Sequence, residues 1–314
     1  MWGLKYFIQA SLGLAIFLIG LWVMSQGLNG VLGQKLGQIL GKLTTTPFRG
    51  MVLGAIATAL VQSSSTIAVT MVALVNAQVI TIYQAFGIIL GANIGTTFTA
   101  QIISFDLSSF ALPIILLGLL LLPINRKCKI IGVAMIGFGS LFFGMRYLRL
   151  SLAPIIELPA VRDLVLRVSN NLLEGIFTGA TLTALIQSST ATTGIVIALA
   201  QENAISLSGA IALSLGANIG TVFTTIISSI GLEKEARATA LADLIFNVLG
   251  VLGISLIFGP FILLVSLTSP HLPRQVANAH TLFNVITVLF VMPFIAPLMN
   301  LCIRWAGFKF RRNE

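Results

Sequence analysis

Stretches of about twenty residues without a charge recur along this 314-residue chain, Met51 to Val75 among them. An α-helix needs roughly 20 apolar residues to cross a hydrocarbon core of about 30 Å. Such a helix also bonds its own backbone polar groups, which an open strand in lipid cannot do. With 57% hydrophobic residues, 9% charged ones and a mean hydropathy of +1.02, the chain reads as an all-α, polytopic integral membrane protein. No soluble domain of useful size fits between the apolar runs. The first run, about Ile8 to Leu28, exceeds a signal-peptide core and lacks a clear cleavage site, so it is read as a retained span. Cys128 and Cys302 offer no disulfide framework. The net charge of +9 comes from Lys and Arg scattered over short loops, which is a topology signal and excludes a nucleic-acid surface.

The chain also carries an internal duplication. Residues 50–104 align without a gap on 175–229, with 24 of 55 positions identical. "GMVLGAIATALVQSSS" returns as "GIFTGATLTALIQSST", and "LGANIGTTFT" as "LGANIGTVFT". Upstream, "GLAIFLIGLWVM" weakly matches "GVAMIGFGSLFF". The division expected is a first repeat over 1–125, a second over 126–270 and an extra span with a basic tail over 271–314. Each repeat holds a span (8–28; 130–148), a Gln-Ser-Ser segment (48–76; 174–201), a segment carrying "GANIGT" (83–104; 207–229) and a further span (107–124; 237–268). In 31–43, Leu32, Leu36, Ile39, Leu40 and Leu43 share one helical face and Lys35 and Lys42 another, which predicts a helix at the membrane surface. A last helix covers about 276–304.

Loop charge chooses between two topologies. If the Gln-Ser-Ser segment enters and leaves on one side, a repeat has three spans and its copy is inverted; if it crosses, the count is four and the copy is parallel. The hairpin alternative with an outside N-terminus puts twelve Lys and Arg in the cytoplasm and six outside, with Lys5 against the trend. The expected fold is therefore an inverted-repeat secondary transporter with seven spans, two re-entrant helical hairpins and broken helices. It sits in the cell (inner) membrane with its C-terminus cytoplasmic.

"VQSSSTIAV", residues 61–69, places one amide and four hydroxyls inside an apolar stretch. A chain turns at membrane depth only where protein or a watery cavity surrounds it. A half-helix starting there offers free N–H groups and the positive end of its dipole to an anion. Carbonyls freed by the same break suit a small hard cation such as Na⁺. In "GANIGT" the glycines predict unwinding, with Asn93 and Asn218 offering carbonyls and Thr96, Thr97 and Thr221 hydroxyls; Thr66 joins this cation set. Ser, Thr and small residues also serve plain helix packing; recurrence in order at one spacing favours the functional reading. Asp243, inside a predicted span, is a candidate coupling residue, or it pairs with Arg237. "ADLIFN" is echoed by "AHTLFN", which adds Asn247, His280 and Asn284 to the coupling candidates.

These residues resemble the type II sodium-phosphate cotransporters and their bacterial homologues, over nearly the whole chain and on the duplicated tips followed by "GANIGT". The resemblance implies phosphate and sodium sites at Gln62, Ser63, Ser64 and Ser65 and at Gln187, Ser188, Ser189 and Thr190, Thr190 keeping the hydroxyl of Ser65. It implies a sodium-coupled phosphate symporter working by alternating access, with sodium as coupling ion, no other cofactor, and the lipid bilayer as setting. A transporter of another small oxyanion is the nearest alternative, since dipoles and hydroxyls bind tetrahedral anions alike, and an ion channel is a further one. An intramembrane serine hydrolase would need an activated Ser beside a base; Gly-x-Ser-x-Gly is absent and His280 is the one buried base candidate.

Overall fold

The computed structural model describes residues 2–32, 44 and 46–307. It is helical, with no strand among the described residues. In chain order the helices are α1 (Trp2–Leu32), α2 (Pro47–Val61), α3 (Ser64–Asn76), α4 (Ile82–Ile103), α5 (Ala111–Leu121), α6 (Arg126–Ile156) and α7 (Pro159–Asn170). Then follow α8 (Leu172–Ile186), α9 (Ser189–Gln201), α10 (Leu207–Ser229), α11 (Lys234–Leu256), α12 (Phe258–Ser266), α13 (Leu272–Val291) and α14 (Ile295–Ala306). The surface helix expected over 31–43 lies, from 33 onward, outside the described residues. In the second half α7 has that character: Val161, Val165 and Val168 turn to the core while Arg162 and Arg167 stay exposed.

Among the described residues six stretches are long and apolar enough to cross a membrane by themselves, where seven spans were expected. The missing one is 107–124, which shrinks to a 3-10 turn and the 11-residue α5. Pro123 cannot continue that helix, and Asn125 begins the next by accepting from the Cys128 N–H at 2.9 Å. Prolines also interrupt two others. Pro260 leaves a break at Ile257, which divides the expected 237–268 helix into α11 and α12. Pro293 sits in a 3-10 turn between α13 and α14.

Half-length helices form two matching pairs. α2 and α3 have 15 and 13 residues, as do α8 and α9. At 1.5 Å per residue these are about 20–22 Å long, short of a crossing. Contacts of Gly87 with Pro47, Gly91 with Met51 and Gly95 with Ala55 show α2 running parallel to α4. The chain then folds back, so that Ser64 and Ala68 of α3 lie beside Asn93 and Ile89 of α4. Gly216 against Ile176 and Gly220 against Ala180 give α8 and α10 the same relation.

This packing corrects one expectation: α4 and α10 run unbroken through both "GANIGT" motifs. The glycines are there for close approach. A Cβ on Gly91 would lie 1.9 Å from the Met51 carbonyl oxygen, and one on Gly216 2.0 Å from that of Ile176. Neighbouring helices in a membrane gain dispersion contact from such small residues, and the tight helix–helix seam outweighs the helix-breaking tendency of single glycines. α1 and α6 form a third close pair, antiparallel, with Gly20 against Leu141 and Gly27 against Ala134.

Polar residues gather at two ends. At one, Arg149 of α6 meets Asp106 at 2.8 Å and Glu202 at 3.3 Å, and Arg274 donates to the Gln101 carbonyl and to Ser104 Oγ. At the other, the Glu233 N–H donates to Asn76 Oδ1 and the Tyr83 hydroxyl to Asn300 Oδ1. Burial alone would raise the Asp106 carboxyl, but hydrogen bonds from Ser108 and Arg149 hold it below the ordinary carboxylate range. A depressed value means that the pair stabilises the fold above the unfolded pKa of about 4 and ceases to as pH falls through the folded one. Asp106→Asn should therefore lower the thermal unfolding temperature in detergent at neutral pH, with the difference vanishing in acid. The pair is half exposed, so the effect is at most about 1 kcal/mol; a difference that grows in acid would contradict this account.

Candidate functional site

Each half-length pair turns at a glutamine in the left-handed region. Gln62 has φ 60° and ψ 24°, Gln187 φ 58° and ψ 28°. Left-handed backbone at a residue other than glycine is costly and persists where the surroundings hold it. Here the N–H of each glutamine caps its own helix, Gln62 on the Thr58 carbonyl and Gln187 on that of Thr183, both at 2.7 Å. The following serine is the N-cap of the next helix. Ser63 Oγ accepts from the Thr66 N–H and Ser188 Oγ from that of Ala191, both at 3.2 Å. Sequence and geometry thus repeat together at the two tips, and α3 and α9 begin there with their dipoles' positive ends.

Behind the first tip is a cavity of about 10 Å³, lined by Ser64 and Ser65 of α3, Asn93 of α4, Thr221 and Thr225 of α10, and Asp243 and Asn247 of α11. It has room for one water-sized guest and none for phosphate. Asp243 is 4% exposed, and among the described residues it makes no ion pair, so the alternative pairing with Arg237 is not formed. Asn247 Nδ2 donates to Asp243 Oδ1 at 3.0 Å and to its main-chain carbonyl at 2.9 Å. Thr225 lies beside the carboxylate but outside hydrogen-bond geometry. Asn247 Oδ1 and Thr225 Oγ1 are buried with no hydrogen-bond partner among the described residues. A buried acid with no cationic partner, beside unsatisfied oxygens, carries a desolvation cost that its one hydrogen bond offsets in part and that a bound cation or protonation of the carboxyl relieves. The polar groups around this small space all bear oxygen, as a hard cation requires, and Ala68, Ile89, Ala92 and Val222 complete its wall.

Other predicted residues lie elsewhere. Gln62 is turned into protein: its amide donates to the Ala59 carbonyl, and Oε1 accepts from Thr99 Oγ1. Thr66 pairs with Ser63 at 2.8 Å. Thr96, Thr97 and Thr221 donate to carbonyls of their own helices, Ala92, Ile94 and Ala217. Asn93 and Asn218 likewise spend their Nδ2 on Ile89 and Ser214, which leaves their carbonyl oxygens free as acceptors. Ser189 and Thr190 are buried at the second tip, and neither lines the cavity behind the first. His280 and Asn284 are on α13, which packs on α9, α4 and α10 as α11 packs on α3, α4 and α10. Asn284 Nδ2 donates to the His280 carbonyl at 2.9 Å, repeating the Asn247 bond, and Asn284 Oδ1 and His280 Nδ1 are buried without partners among the described residues. Thr225 escaped the sequence reading because its counterpart is Ala100, although its place one turn beyond Thr221 was a signal.

A family profile described as Na+/Pi-cotransporter matches residues 16–150 and 156–291. The chain belongs to the Na⁺/Pi-cotransporter family. This is a family of transporters and not of enzymes, which removes the serine hydrolase alternative. Among its relatives, this Na⁺/Pi-cotransporter family member is 30% identical to the uncharacterized protein YqeW of Bacillus subtilis (strain 168) over 282 residues, 88% of this chain and 91% of that one. It is 26% identical over 294 residues to the putative inorganic phosphate export protein YjbB of Escherichia coli (strain K12), covering 92% of this chain but 53% of YjbB, about half its length. It is 37% identical to human sodium-dependent phosphate transport protein 2B over 93 residues, 29% of this chain and 14% of that one. No solved structure is detectably similar.

Proposed function

We propose that this multi-pass membrane protein is a sodium-coupled inorganic phosphate symporter of the inner membrane, working by alternating access between two inverted halves, 1–125 and 126–270. The single observation that carries it is the unpaired Asp243 carboxylate in a cation-sized cavity at the start of α3, in a chain of this family. Sodium takes that cavity with Asp243, Asn247, Asn93, Thr221 and Thr225 as oxygen donors. Phosphate takes the N-termini and hydroxyls of the paired tips, Gln62 to Ser65 and Gln187 to Thr190. Coupling is electrostatic. At an effective dielectric of about 20, each charge on an anion roughly 8 Å from an uncompensated carboxylate costs about 2 kcal/mol. Sodium removes that cost, so each ion raises the other's affinity by the same factor.

The re-entrant hairpin topology draws support from the polar ends. With hairpins, and with the short α5 crossing antiparallel beside α6 as the contacts of Gly139 with Ala111 and Gly118 with Gly132 allow, 106, 149, 202 and 274 fall on the outer face and 83 and 300 on the inner. With crossing segments Arg149 would be on the face opposite Glu202, and Tyr83 opposite Asn300, yet both pairs are in contact. An N-terminus outside and a cytoplasmic C-terminus then follow from the loop charges.

The test is transport in proteoliposomes. A Na⁺ gradient should drive labelled phosphate across against its own gradient, and Ser64→Ala or Ser189→Ala should abolish this. Uptake unchanged in both variants rejects the site assignment, and stronger inhibition by sulfate than by arsenate rejects phosphate as substrate. The name of YjbB favours a second reading, net phosphate export, so gradients of both orientations belong in the same experiment.

A further inference from the structure

We propose that Ser25 is a positioning residue that tethers the first tip to α1, and that the two tips are consequently unequal partners. The inference rests on the reading that the tips hold substrate. Ending α2 at Gln62 strands its last carbonyls at membrane depth, where each needs a donor. Gln62 supplies two, its N–H to Thr58 and its amide to Ala59. The third comes from another helix: Ser25 Oγ donates to the Val61 carbonyl at 2.7 Å, across 36 residues of sequence. Ser25 is 8% exposed, so water cannot readily replace it. Val61 immediately precedes the left-handed Gln62, and the bond therefore fixes the peptide from which the chain turns into the Ser63 cap.

No side chain among the described residues donates to the carbonyl of Ile186, the counterpart of Val61. Continuing the match of 13–24 with 132–143 by one residue aligns Ser25 with Gly144. A Cβ on Gly144 would lie 2.3 Å from the Phe17 nitrogen, so the α1–α6 crossing leaves no room there for a hydroxyl-bearing side chain. From this helix pair the Phe17 ring and Met145 lie against Gly194 of α9, and the polar tie, Arg149 to Glu202, is at the end of α9 away from the tip. The first hairpin is hydrogen-bonded to α1 at its tip, and the second is held by apolar contact along α9 and by an ion pair at the opposite end of that helix.

Ser25→Ala and Ser25→Thr, beside Ser64→Ala, test this in the full chain. In proteoliposomes Ser25→Ala should raise the KM for phosphate or Na⁺ by about 3- to 15-fold, the range of one interhelical hydrogen bond in a membrane, with Vmax within about twofold. Threonine should restore the KM. An unchanged KM in Ser25→Ala, or a fall in Vmax alone that follows loss of folded protein and is not rescued by threonine, overturns the proposal. If Ser64→Ala leaves transport intact, the substrate reading fails separately. Amide exchange then still reads the tether: it should quicken at 63–67 in Ser25→Ala and stay unchanged at 188–192, and equal exchange at the first tip in variant and wild type refutes it.

Discussion

Asp243→Asn abolishes sodium-driven phosphate transport, by about 100-fold or more, while the protein still folds; that is the expected result. Removing one partner of a buried ion pair costs about 3–5 kcal/mol, and 1.4 kcal/mol is a factor of ten. Asparagine keeps the shape of the side chain and can still bond Asn247, so the loss falls on the cation and not on packing. Two measurements check it together. Transport at saturating phosphate should lose its dependence on Na⁺, and the rise in thermal unfolding temperature that Na⁺ gives the wild type should disappear. A variant that is still stabilised by Na⁺ and still driven by it would show that the ion binds elsewhere.

Gly91→Leu should prevent folding. With the Cβ position 1.9 Å from the Met51 carbonyl, α2 would have to move away from α4 as a unit, which exceeds the 1–3 kcal/mol or so of ordinary overpacking. Gly216→Leu should behave alike, since Gly216 meets Ile176 at 2.0 Å. Gly253→Leu is the control, because nothing lies within 4 Å of its Cβ position. Yield of monodisperse protein in detergent, followed on a sizing column, separates the three. Recovery of Gly91→Leu at wild-type level would mean that the α2–α4 seam is loose.

Much of this was legible in the chain. Apolar runs free of charge announce membrane helices because lipid offers the backbone no partner. "QSSS" and "QSST" announce turns within such runs, because adjacent hydroxyls cap a new helix more readily than they extend an old one. The glycines of "GANIGT" misled. A glycine's tolerance of odd backbone and its lack of a Cβ look the same in a sequence, and only the neighbour tells them apart. With α2 lying on Gly91 and Gly95, close approach was the use made of them.

Composition and periodicity therefore determined the helical membrane class, the paired tips and most of the polar residues that line the cavity, since each depends on local backbone chemistry. Tertiary structure alone decided that Thr225 joins Asp243, that Asp243 has no cationic neighbour among the described residues, and that Ser25 reaches Val61. Those facts are distances between helices far apart in the chain, and whether a buried oxygen is satisfied depends on what the fold brings within 3 Å of it.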